Sequence, residues 1–379
     1  MIIMLKRAFF GIFKAAFWTI NKRMYKVRHI YRKMRTTILR VRRKIDEEFK
    51  DVHIWGNGIN LNDQIEYFYG KHRSGWGYAL SSLEALHNKD AIYFDSFIER
   101  TFAWELTPHR THRYDWIGCV HVPPMIPDFL SGYIRNQCFD KIQETENWKN
   151  SERHCCGFIV LSNYLADYLR KKTSLPISVL YHPTEIPAQQ WNIDLFQRNQ
   201  NRKIVQVGWW LRSLCAIYEL PESQYTKINL KLGRWFKDVF EAEKNRRKKM
   251  GMFQDWMLKT AETVSFLPNK EYDRLLSENI VFLNLYDSSA NNTVIECIAR
   301  GTPLLVNKLP AVVEYLGDEY PLYYETYEEA VAKAENYQLL YTASEYMKQT
   351  ERREHLSRRH FLESFLKSEV YKVTQTKRI

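Results

Sequence analysis

The sequence predicts an α/β protein built from two Rossmann-like domains, and three observations lead to this fold class. The chain has 379 residues, more than the roughly 250 to 300 at which a single hydrophobic core tends to split. From residue 51 onward, short apolar β-rich runs alternate with helical patterns, as in parallel α/β sheets. Residues 182–202, rich in Pro, Gln and Asn, divide that alternation into two series.

The first series predicts an N-terminal domain over residues 51–190. Apolar and β-branched runs predict its strands at residues 53–55, 91–94, 116–121, 158–161 and 177–181. Helical spacing covers residues 77–87 and 163–172, and in the second of these Tyr164, Leu165, Tyr168 and Leu169 share one face.

The second series predicts a C-terminal domain over residues 200–342. Its strands are expected at 204–207, 264–267, 280–285 and 304–307, and its helices at 270–278, 292–299 and 327–340. The charged segment 343–379 contains many good helix formers. Apolar positions such as Leu356 and Phe361 predict that it packs as a terminal helix, on a domain that the sequence leaves open.

The net charge is concentrated at the N-terminal end. The formal charge of the whole chain is +12, and residues 1–50 alone carry 15 Lys or Arg against three acidic residues. The rest of the chain is therefore close to neutral. A neutral body is not typical of a nucleic-acid-binding protein, so no nucleic-acid partner is expected.

Residues 1–50 predict a basic amphipathic helical extension. Its apolar stretch, residues 8–20, is interrupted by Lys14 and is shorter than the roughly 20 residues that a membrane-spanning helix needs. Because aromatic and basic residues alternate, residues 1–44 are expected to lie on an anionic membrane surface. The basic run to Lys44 argues against a signal peptide, and a solvated basic helix or coiled-coil arm is the other interpretation.

The six cysteines show neither a CxxC pair nor a Cys/His spacing suited to zinc, and the sequence contains no Asp-x-Asp. We therefore expect no metal site and no bound cofactor. Sparse cysteines in a chain of this size favour a reducing compartment. The expected location is cytoplasmic, with peripheral attachment to the cytoplasmic face of a membrane through the basic extension.

The most informative segment is 286–306, which has the pattern of a strand, a polar loop, a helix, a glycine and a strand. In such a unit the helix directs unpaired N–H groups and the positive end of its dipole into the crevice, where a diphosphate fits. The backbone near Asn292 and Thr293 would meet phosphate, and Glu296 could accept hydrogen bonds from two ribose hydroxyls. The alternative is that Glu296 only caps or solvates an ordinary helix.

This segment resembles the donor-binding segment of GT-B glycosyltransferases, especially the retaining family-4-like enzymes (glycosyl transferases group 1). The second glutamate of their Glu-x7-Glu motif matches Glu296, an Ala-x-Gly-x-Pro pattern follows at 299–303, and a later glutamate matches Glu314. Ser288 occupies the first glutamate position, which in the family contacts the donor sugar. The resemblance implies two Rossmann-like domains facing each other across a cleft, and Ser288 leaves the donor sugar and the stereochemical outcome open.

A second match lies at the start of the C-terminal domain. The strand at 204–207 is followed by Gly208 and then by Arg212, which resembles the family's strand, glycine and basic residue. A guanidinium binds a diphosphate in bidentate fashion and offsets charge on a leaving nucleotide. Arg212 is therefore the candidate phosphate clamp, and an ordinary surface arginine is the alternative.

Two candidate cleft elements lie in the N-terminal domain. Gly75, Trp76 and Gly77 introduce a helix, and glycines let the backbone approach a ligand closely. In the enzymes that the chain resembles, a loop here faces the diphosphate. His121 ends a hydrophobic strand and is the catalytic candidate, because a histidine there in the family touches the donor sugar or reaction centre. The alternatives are a simple turn and a structural histidine.

The resemblance extends over about residues 51–340, although only residues 280–316 are specific. It implies a glycosyltransferase that moves a sugar from a nucleotide-diphosphate sugar to a hydroxyl of a carbohydrate, lipid or protein acceptor. The resemblance and the absence of metal motifs imply a retaining, metal-independent reaction. The alternative is a catalytically inactive GT-B-like protein that binds a membrane or a partner through its basic extension.

Overall fold

The computed structural model describes residues 49, 51–62, 75–104, 111–130, 137–230, 236–265 and 267–376. The chain divides into two compact units, Met1–His53 and Ile54–Ile379. In the first unit, the structure describes a turn in which Val52 N donates to the Phe49 carbonyl oxygen at 2.9 Å. The predicted basic extension and its expected membrane contact, residues 1–44, lie outside the described residues.

The first sheet of the second unit has four parallel strands in the order β1-β2-β3-β4. The strands are β1 (Tyr93–Asp95), β2 (Trp116–Val120), β3 (Cys155–Val160) and β4 (Ile177–Val179). Around them lie the helices α1 (Trp76–Ser82), α2 (Phe139–Gln143), α3 (Glu146–Ser151) and α4 (Asn163–Arg170). Short 3-10 turns occur at Glu84–Leu86, Asp128–Leu130 and Glu152–His154, and a π-helix at Arg100–Trp104.

Strands β2 and β3 form the centre of the first domain because all of their residues are buried. A strand that is covered on both faces has a continuous apolar sequence, which explains why the sequence predicts both strands. The rings of Trp116, Trp148 and Phe158 pack together beside them, with 5.9 Å between the centroids of Trp148 and Phe158.

The strand predicted at residues 53–55 is not formed, and that prediction is wrong. The Trp55 carbonyl oxygen accepts a hydrogen bond from the Tyr371 hydroxyl at 2.6 Å, so a C-terminal helix satisfies it instead of a neighbouring strand. The chain reaches the edge of the sheet only at Asn60, which forms a parallel bridge with Tyr93.

The second sheet has six parallel strands in the order β10-β9-β8-β5-β6-β7. The strands are β5 (Lys203–Val207), β6 (Thr226–Leu230), β7 (Glu262–Val264), β8 (Ile280–Leu283), β9 (Leu304–Asn307) and β10 (Tyr323–Tyr324). The helices of this part are α5 (Ile193–Arg198), α6 (Ala216–Glu219), α7 (Phe236–Lys249), α8 (Asn269–Ser277), α9 (Asn292–Arg300), α10 (Pro310–Leu316), α11 (Tyr327–Ala334) and α12 (Tyr337–Met347). A 3-10 turn spans Asp255–Lys259.

This is the strand order of a Rossmann domain, and the order reverses between β5 and β8. Ligands of such sheets bind in the crevice beyond the carboxyl ends of the strands at the reversal. Gly208 follows β5 and Asn284 follows β8. The topology therefore brings the two predicted donor-binding segments to one crevice.

The sequence patterns miss two strands of this sheet. In β6, Lys227 and Asn229 are buried polar residues that interrupt the apolar run. Lys227 Nζ donates to the Leu220 carbonyl oxygen at 2.7 Å, and Asn229 Nδ2 donates to that of Leu214 at 3.2 Å. Strand β10 has only two residues, and β7 begins at Glu262, earlier than predicted.

The helix predicted at 327–340 is divided at Asn336, whose side chain caps α12 by accepting from Leu339 N at 3.0 Å. The predicted C-terminal helix over 343–379 is also divided: its first residues belong to α12, and three further helices follow. They are α13 (Thr350–His355), α14 (Arg358–Lys367) and α15 (Glu369–Thr376).

The last two helices return to the first domain. Arg358 of α14 donates to the Ser81 carbonyl oxygen of α1 at 2.8 Å, and Val370 N of α15 donates to Ser178 Oγ of β4 at 3.3 Å. Two parallel α/β domains with terminal helices that return to the first domain make up the GT-B architecture, so the predicted fold class is confirmed. Within the described ranges, no helix has both the length and the apolarity to span a membrane.

Candidate active site

The loops that follow β5 and β8 cross at the carboxyl ends of these strands. Ser213 N donates to the Asn284 carbonyl oxygen at 2.8 Å, and Tyr286 N donates to the Leu211 carbonyl oxygen at 2.9 Å. These backbone hydrogen bonds fix Arg212 at the point where the two loops meet.

Arg212 extends from the first loop to the start of α9. Its Nη2 donates to Asn291 Oδ1 and to Thr293 Oγ1, both at 3.0 Å, and its Nη1 donates to the Trp210 carbonyl oxygen at 3.0 Å. The guanidinium lies against Gly208, where φ is +81° and an added Cβ would come within 2.9 Å of Arg212 Cζ. The structure therefore brings three predicted residues together: Gly208, Arg212 and Thr293.

Arg212 makes no ion pair with the described residues. It is only 8% exposed, its hydrogen-bond partners are neutral oxygens, and its Nε has no partner among the described residues. Burial lowers the pKa of Arg212 to about 10, against the opposite effects of Tyr272 and Glu296, so the guanidinium is charged at neutral pH. A buried cation without an ion-pair partner favours the binding of an anion in this crevice.

The start of α9 is capped from within the loop. Asn291 Oδ1 accepts hydrogen bonds from Thr293 N at 3.0 Å and from Val294 N at 3.3 Å. The Thr293 N–H, which the sequence predicts to meet phosphate, is therefore already bonded to the cap. Asn292 is the first residue of α9 and is exposed.

Glu296 is buried one turn into α9. Its Oε2 accepts a hydrogen bond from the Tyr272 hydroxyl of α8 at 2.6 Å. Burial and the nearby Glu296 carboxylate raise the pKa of Tyr272, so the phenol stays protonated and donates. The carboxylate that the sequence predicts to bind ribose thus has a protein partner in this structure.

A buried charged network supports the backbone that follows Arg212. Ser213 Oγ donates to Glu243 Oε1 of α7 at 2.7 Å, and Arg247 donates to the same oxygen at 3.0 Å. Arg247 also donates to both carboxylate oxygens of Glu219, at 2.7 and 2.6 Å. Because this network holds the residue next to Arg212, it restricts where the guanidinium can reach.

Ser288, which occupies the first glutamate position of the motif, is buried. The neighbouring Asp287 contacts the first domain. Asp287 Oδ2 accepts from Met125 N at 2.7 Å and from the Tyr164 hydroxyl at 3.3 Å, while Oδ1 accepts from Ser288 N at 2.7 Å. Burial raises the pKa of Asp287. This carboxylate joins the loop after β8 to the loop after β2 and to α4.

Glu314 also contacts the first domain. Its carboxylate oxygens lie 2.6 and 2.9 Å from Asn163 N, and Asn163 Nδ2 donates to Oε1 at 2.7 Å. The adjacent Tyr315 hydroxyl donates to the Leu161 carbonyl oxygen at 2.8 Å. The resemblance implies a donor contact for Glu314, whereas here its carboxylate meets the N-terminal end of α4 in the opposite domain.

His121 lies directly after β2 and is held as a neutral ring. Its Nε2 is 3.0 Å from the Ser96 carbonyl oxygen, and its ring stacks on Phe97 with 3.9 Å between centroids. Since a carbonyl oxygen only accepts, Nε2 carries the proton and Nδ1 is the acceptor. Burial lowers the pKa of His121 to about 3, so the imidazole is uncharged at neutral pH.

The predicted cleft loop reaches His121 through Trp76. Gly75 precedes α1, and Trp76 and Gly77 are the first residues of that helix. The indole meets the His121 ring edge-on, with 4.4 Å between centroids. Trp76 is buried, and its Nε1 has no hydrogen-bond partner among the described residues. The structure therefore brings Trp76 and His121 together in the domain opposite Arg212.

Sequence reasoning missed several residues of this site, including Asn291, Tyr272 and Asp287. The role of Asn291 could have been found, because asparagine is favoured at the position before a helix. The other two act through contacts with distant segments, which leave no local pattern. The described part of the chain contains no cluster of three or more His, Cys, Asp or Glu that could hold a metal ion.

Comparison with known proteins gives structural matches only. No family model and no curated protein match the chain. A mutant of S. aureus TarM in complex with Fondaparinux, alpha-GlcNAc-glycerol and UDP is 12% identical, with a TM-score of 0.47 over 70% of this chain. This chain spans 52% of that TarM chain and 58% of a second TarM structure.

Two further matches are of similar quality. Trehalose-6-phosphate synthase OtsA is 14% identical, with a TM-score of 0.49 over 79% of this chain and 76% of its own. Sucrose-phosphate synthase from Thermosynechococcus elongatus is 12% identical, with a TM-score of 0.49 over 74% of this chain and 73% of its own. Because these TM-scores are below 0.5, the matches carry no argument about the function of this chain.

Proposed function

We propose that this protein is a glycosyltransferase that moves a sugar from a nucleotide-diphosphate sugar to an acceptor hydroxyl. The observation that carries the proposal is the position of Arg212, a buried guanidinium at the strand-order reversal of a Rossmann sheet. Its hydrogen-bond partners among the described residues are neutral oxygens. Such a crevice suits a nucleotide, and such a cation suits its diphosphate.

In the proposed reaction, the bond between the anomeric carbon and the diphosphate oxygen breaks as the bond to the acceptor oxygen forms. Negative charge then gathers on the leaving diphosphate. Arg212 is the group that would offset that charge, and its backbone is already held by Ser213 and the Glu243 network. A preorganised donor of this kind contributes about 10²- to 10³-fold to the rate. We propose that no metal ion is required for this role.

His121 is the proposed contact of the first domain with the transferred sugar. Its neutral ring, with the proton on Nε2, leaves Nδ1 to accept a hydrogen bond from a sugar or acceptor hydroxyl. With a pKa of about 3, the ring has no extra proton to donate near neutral pH and is a weak base, so we propose that it orients a hydroxyl. Retention of configuration at the anomeric carbon is proposed from the resemblance. In the proposed reaction, the proton of the acceptor hydroxyl passes to the departing phosphate oxygen.

Contacts between the domains support a reaction in a closed cleft. Asp287 bonds to Met125 N, and Glu314 bonds to Asn163. Both carboxylates lie in the loops and helices that flank the donor crevice. Holding the domains together would exclude water, which otherwise competes with the acceptor for the anomeric carbon.

The second candidate function is a catalytically inactive GT-B-like binding protein. It is favoured by Ser288 at the motif position of a sugar-binding glutamate and by the engagement of Glu296 with Tyr272. In that case the basic residues 1–44 would bind a membrane or a partner. Binding of the extension to an anionic membrane, and a carbohydrate, lipid or protein acceptor, stay predictions from the sequence.

Incubation of the full chain with a panel of nucleotide sugars, with and without EDTA, tests the proposal. Release of nucleoside diphosphate and protection against thermal unfolding are measured together, because a ligand that binds the folded state raises its stability. We expect one donor to stabilise the protein and to be hydrolysed slowly in the presence of EDTA. Stabilisation without release supports the binding protein, and no response to any donor contradicts the proposed glycosyltransferase and favours the binding protein.

A further inference from the structure

The turn 96–99 holds His121 from three directions. The Ser96 carbonyl oxygen accepts from the ring at Nε2 at 3.0 Å, and the Phe97 ring stacks on the imidazole. The carboxylate of Glu99 contacts the backbone of the same residue. The orientation of His121 therefore depends on one short segment that is distant in sequence.

Glu99 makes the backbone contacts of this arrangement. Its Oε1 accepts from His121 N at 2.7 Å and from Val122 N at 2.8 Å. Strand β2 ends at Val120, so the ladder with β3 does not extend to these two N–H groups. Glu99 is fully buried, and its Oε2 has no hydrogen-bond partner among the described residues.

We propose that Glu99 is a positioning residue of the glycosyl-transfer site, which fixes the backbone after β2 so that His121 Nδ1 stays available to a sugar hydroxyl. This inference rests on the proposed function. Without the carboxylate, two buried N–H groups lose their acceptor, and the backbone at His121 can shift. A shift of about 1 Å at a reacting group is enough to lower a rate about 100-fold.

The surroundings of Glu99 make its charge sensitive to pH. Burial raises the pKa of Glu99 to about 7, and the nearby Asp95 carboxylate adds to this effect. The titratable groups near it are Asp95, Cys119 and His121, and the next residue in the chain is the buried Arg100.

These neighbours keep their own charge states near neutral pH. Asp95 is paired with His112 at 2.8 Å, and although burial opposes its charge, its pKa is lowered. Burial raises the pKa of the Cys119 thiol, and His121 is neutral. Among Asp95, Glu99, Cys119 and His121, Glu99 is therefore the group whose charge changes near pH 7. The ionised carboxylate accepts the stronger hydrogen bonds, so the hold on His121 tightens as pH rises through 7.

The test compares Glu99→Ala and Glu99→Gln in the full chain, with the donor found by the nucleotide-sugar panel. Glu152→Gln is the control, because Glu152 is a carboxylate of the same domain that lies outside the turn 96–99 and accepts from Trp148 Nε1 at 2.9 Å. For Glu99→Ala we expect kcat to fall about 10- to 100-fold while KM for the donor changes less than about threefold. Glu152→Gln should leave the kcat of the folded protein within about threefold of the wild type.

Glu99→Gln keeps a carbonyl oxygen that can accept from both N–H groups but cannot ionise. We expect it to restore most of kcat at pH 6 and to remove the rise in kcat that the wild type shows near pH 7. The proposal is overturned if Glu99→Ala retains kcat, or if Glu99→Gln keeps the same rise with pH.

A second readout does not need turnover. Long-range ¹H–¹⁵N spectra of histidine side chains report which ring nitrogen carries the proton, with the His121 signal assigned through His121→Gln. We expect the Nε2-protonated tautomer in the wild type and in Glu99→Gln, and a changed or averaged signal in Glu99→Ala. An unchanged signal in folded Glu99→Ala overturns the positioning role, whereas a wild type that turns over no donor overturns the proposed function alone.

Discussion

The two halves of the candidate site differ in charge and in how they are assembled. In the second domain, Arg212 is a charged group among neutral partners, held by two loops that leave adjacent strands. In the first domain, His121 is kept neutral and is held by a turn about 25 residues away. The half that would meet an anionic leaving group carries charge, and the half that would meet a sugar hydroxyl does not.

The largest effect is expected from Arg212→Ala, which removes the charge from the second half. We expect transfer to fall about 10²- to 10³-fold, equivalent to about 3 to 4 kcal/mol, because a preorganised donor to the leaving group is lost. Arg212→Lys should recover little, since an ammonium cannot make the bidentate contacts. The measurement is kcat/KM for the donor.

Arg170→Ala is the matched control for that experiment. Arg170 forms an exposed ion pair with Asp167 on the surface of α4, and such a pair contributes little to stability. Arg170→Ala should leave transfer unchanged. Equal activity of Arg212→Ala and Arg170→Ala would remove the proposed distinction between the two halves.

The pH dependence of the free energy of unfolding tests the environment of Glu99 in the first half. The pKa of Glu99 is about 7 in the folded protein, above its ordinary value of 4.5. The unfolded chain therefore releases this proton at lower pH, and the folded state loses about 3 kcal/mol as pH rises from about 4.5 to 7, with no further loss above 7. Glu99→Gln lacks this loss.

Urea unfolding of the wild type and Glu99→Gln at several pH values between 5 and 8 measures that difference. The free energy of unfolding of Glu99→Gln, relative to the wild type, should increase with pH up to about 7 and then stay constant. A relative stability that does not vary with pH would mean that Glu99 titrates normally.

Gly208→Ala tests whether the position of the guanidinium matters in the second half. The new Cβ would come within 2.9 Å of Arg212 Cζ, at a backbone with φ of +81°. We expect a loss of stability of about 1 to 3 kcal/mol from the backbone conformation. Because the guanidinium must also move, donor affinity should fall about tenfold, which corresponds to about 1.4 kcal/mol.

Gly251→Ala separates these two effects. Gly251 has a similar φ of +71°, but an added Cβ there would meet nothing within 4 Å. Thermal unfolding should show comparable destabilisation in both variants, and calorimetric titration should show weaker donor binding only in Gly208→Ala. Weakened binding in both variants would point to general loosening of the domain.

The smallest effect is expected from Glu314→Gln, which weakens a contact between the halves. The charge-assisted bonds to Asn163 become neutral ones, at a cost of about 1 kcal/mol in the free energy of unfolding. Donor affinity should not change, and the exposed Glu319→Gln serves as the control. A fall in donor affinity of Glu314→Gln would instead support the donor contact that the resemblance implies.

The two halves of the site also differ in how much of each the sequence predicts. The half of the site in the second domain is formed by contiguous segments, and β5 and β9 lie where the sequence predicts them. A general rule for parallel sheets places Gly208 and Thr293 at one crevice. Strand β6 was missed because its buried Lys227 and Asn229 find backbone acceptors that no local pattern reveals.

The first half and the contacts between domains were less accessible to sequence reasoning. The bond of Glu99 to the His121 backbone depends on how the turn 96–99 packs beside the end of β2. The contacts of Asp287 and Glu314 depend on the relative placement of two domains, which local periodicity does not determine. The motif thus identified Glu314 as a site candidate without indicating its partner, and it did not identify Glu99 or Asp287.

The most direct test of the central claim is a crystal structure of the protein with the nucleoside diphosphate of its selected donor. We expect the diphosphate to lie within hydrogen-bonding distance of the Arg212 guanidinium, in the crevice between the ends of β5 and β8. A nucleotide bound elsewhere, with Arg212 still bonded only to Asn291, Thr293 and Trp210, would contradict it.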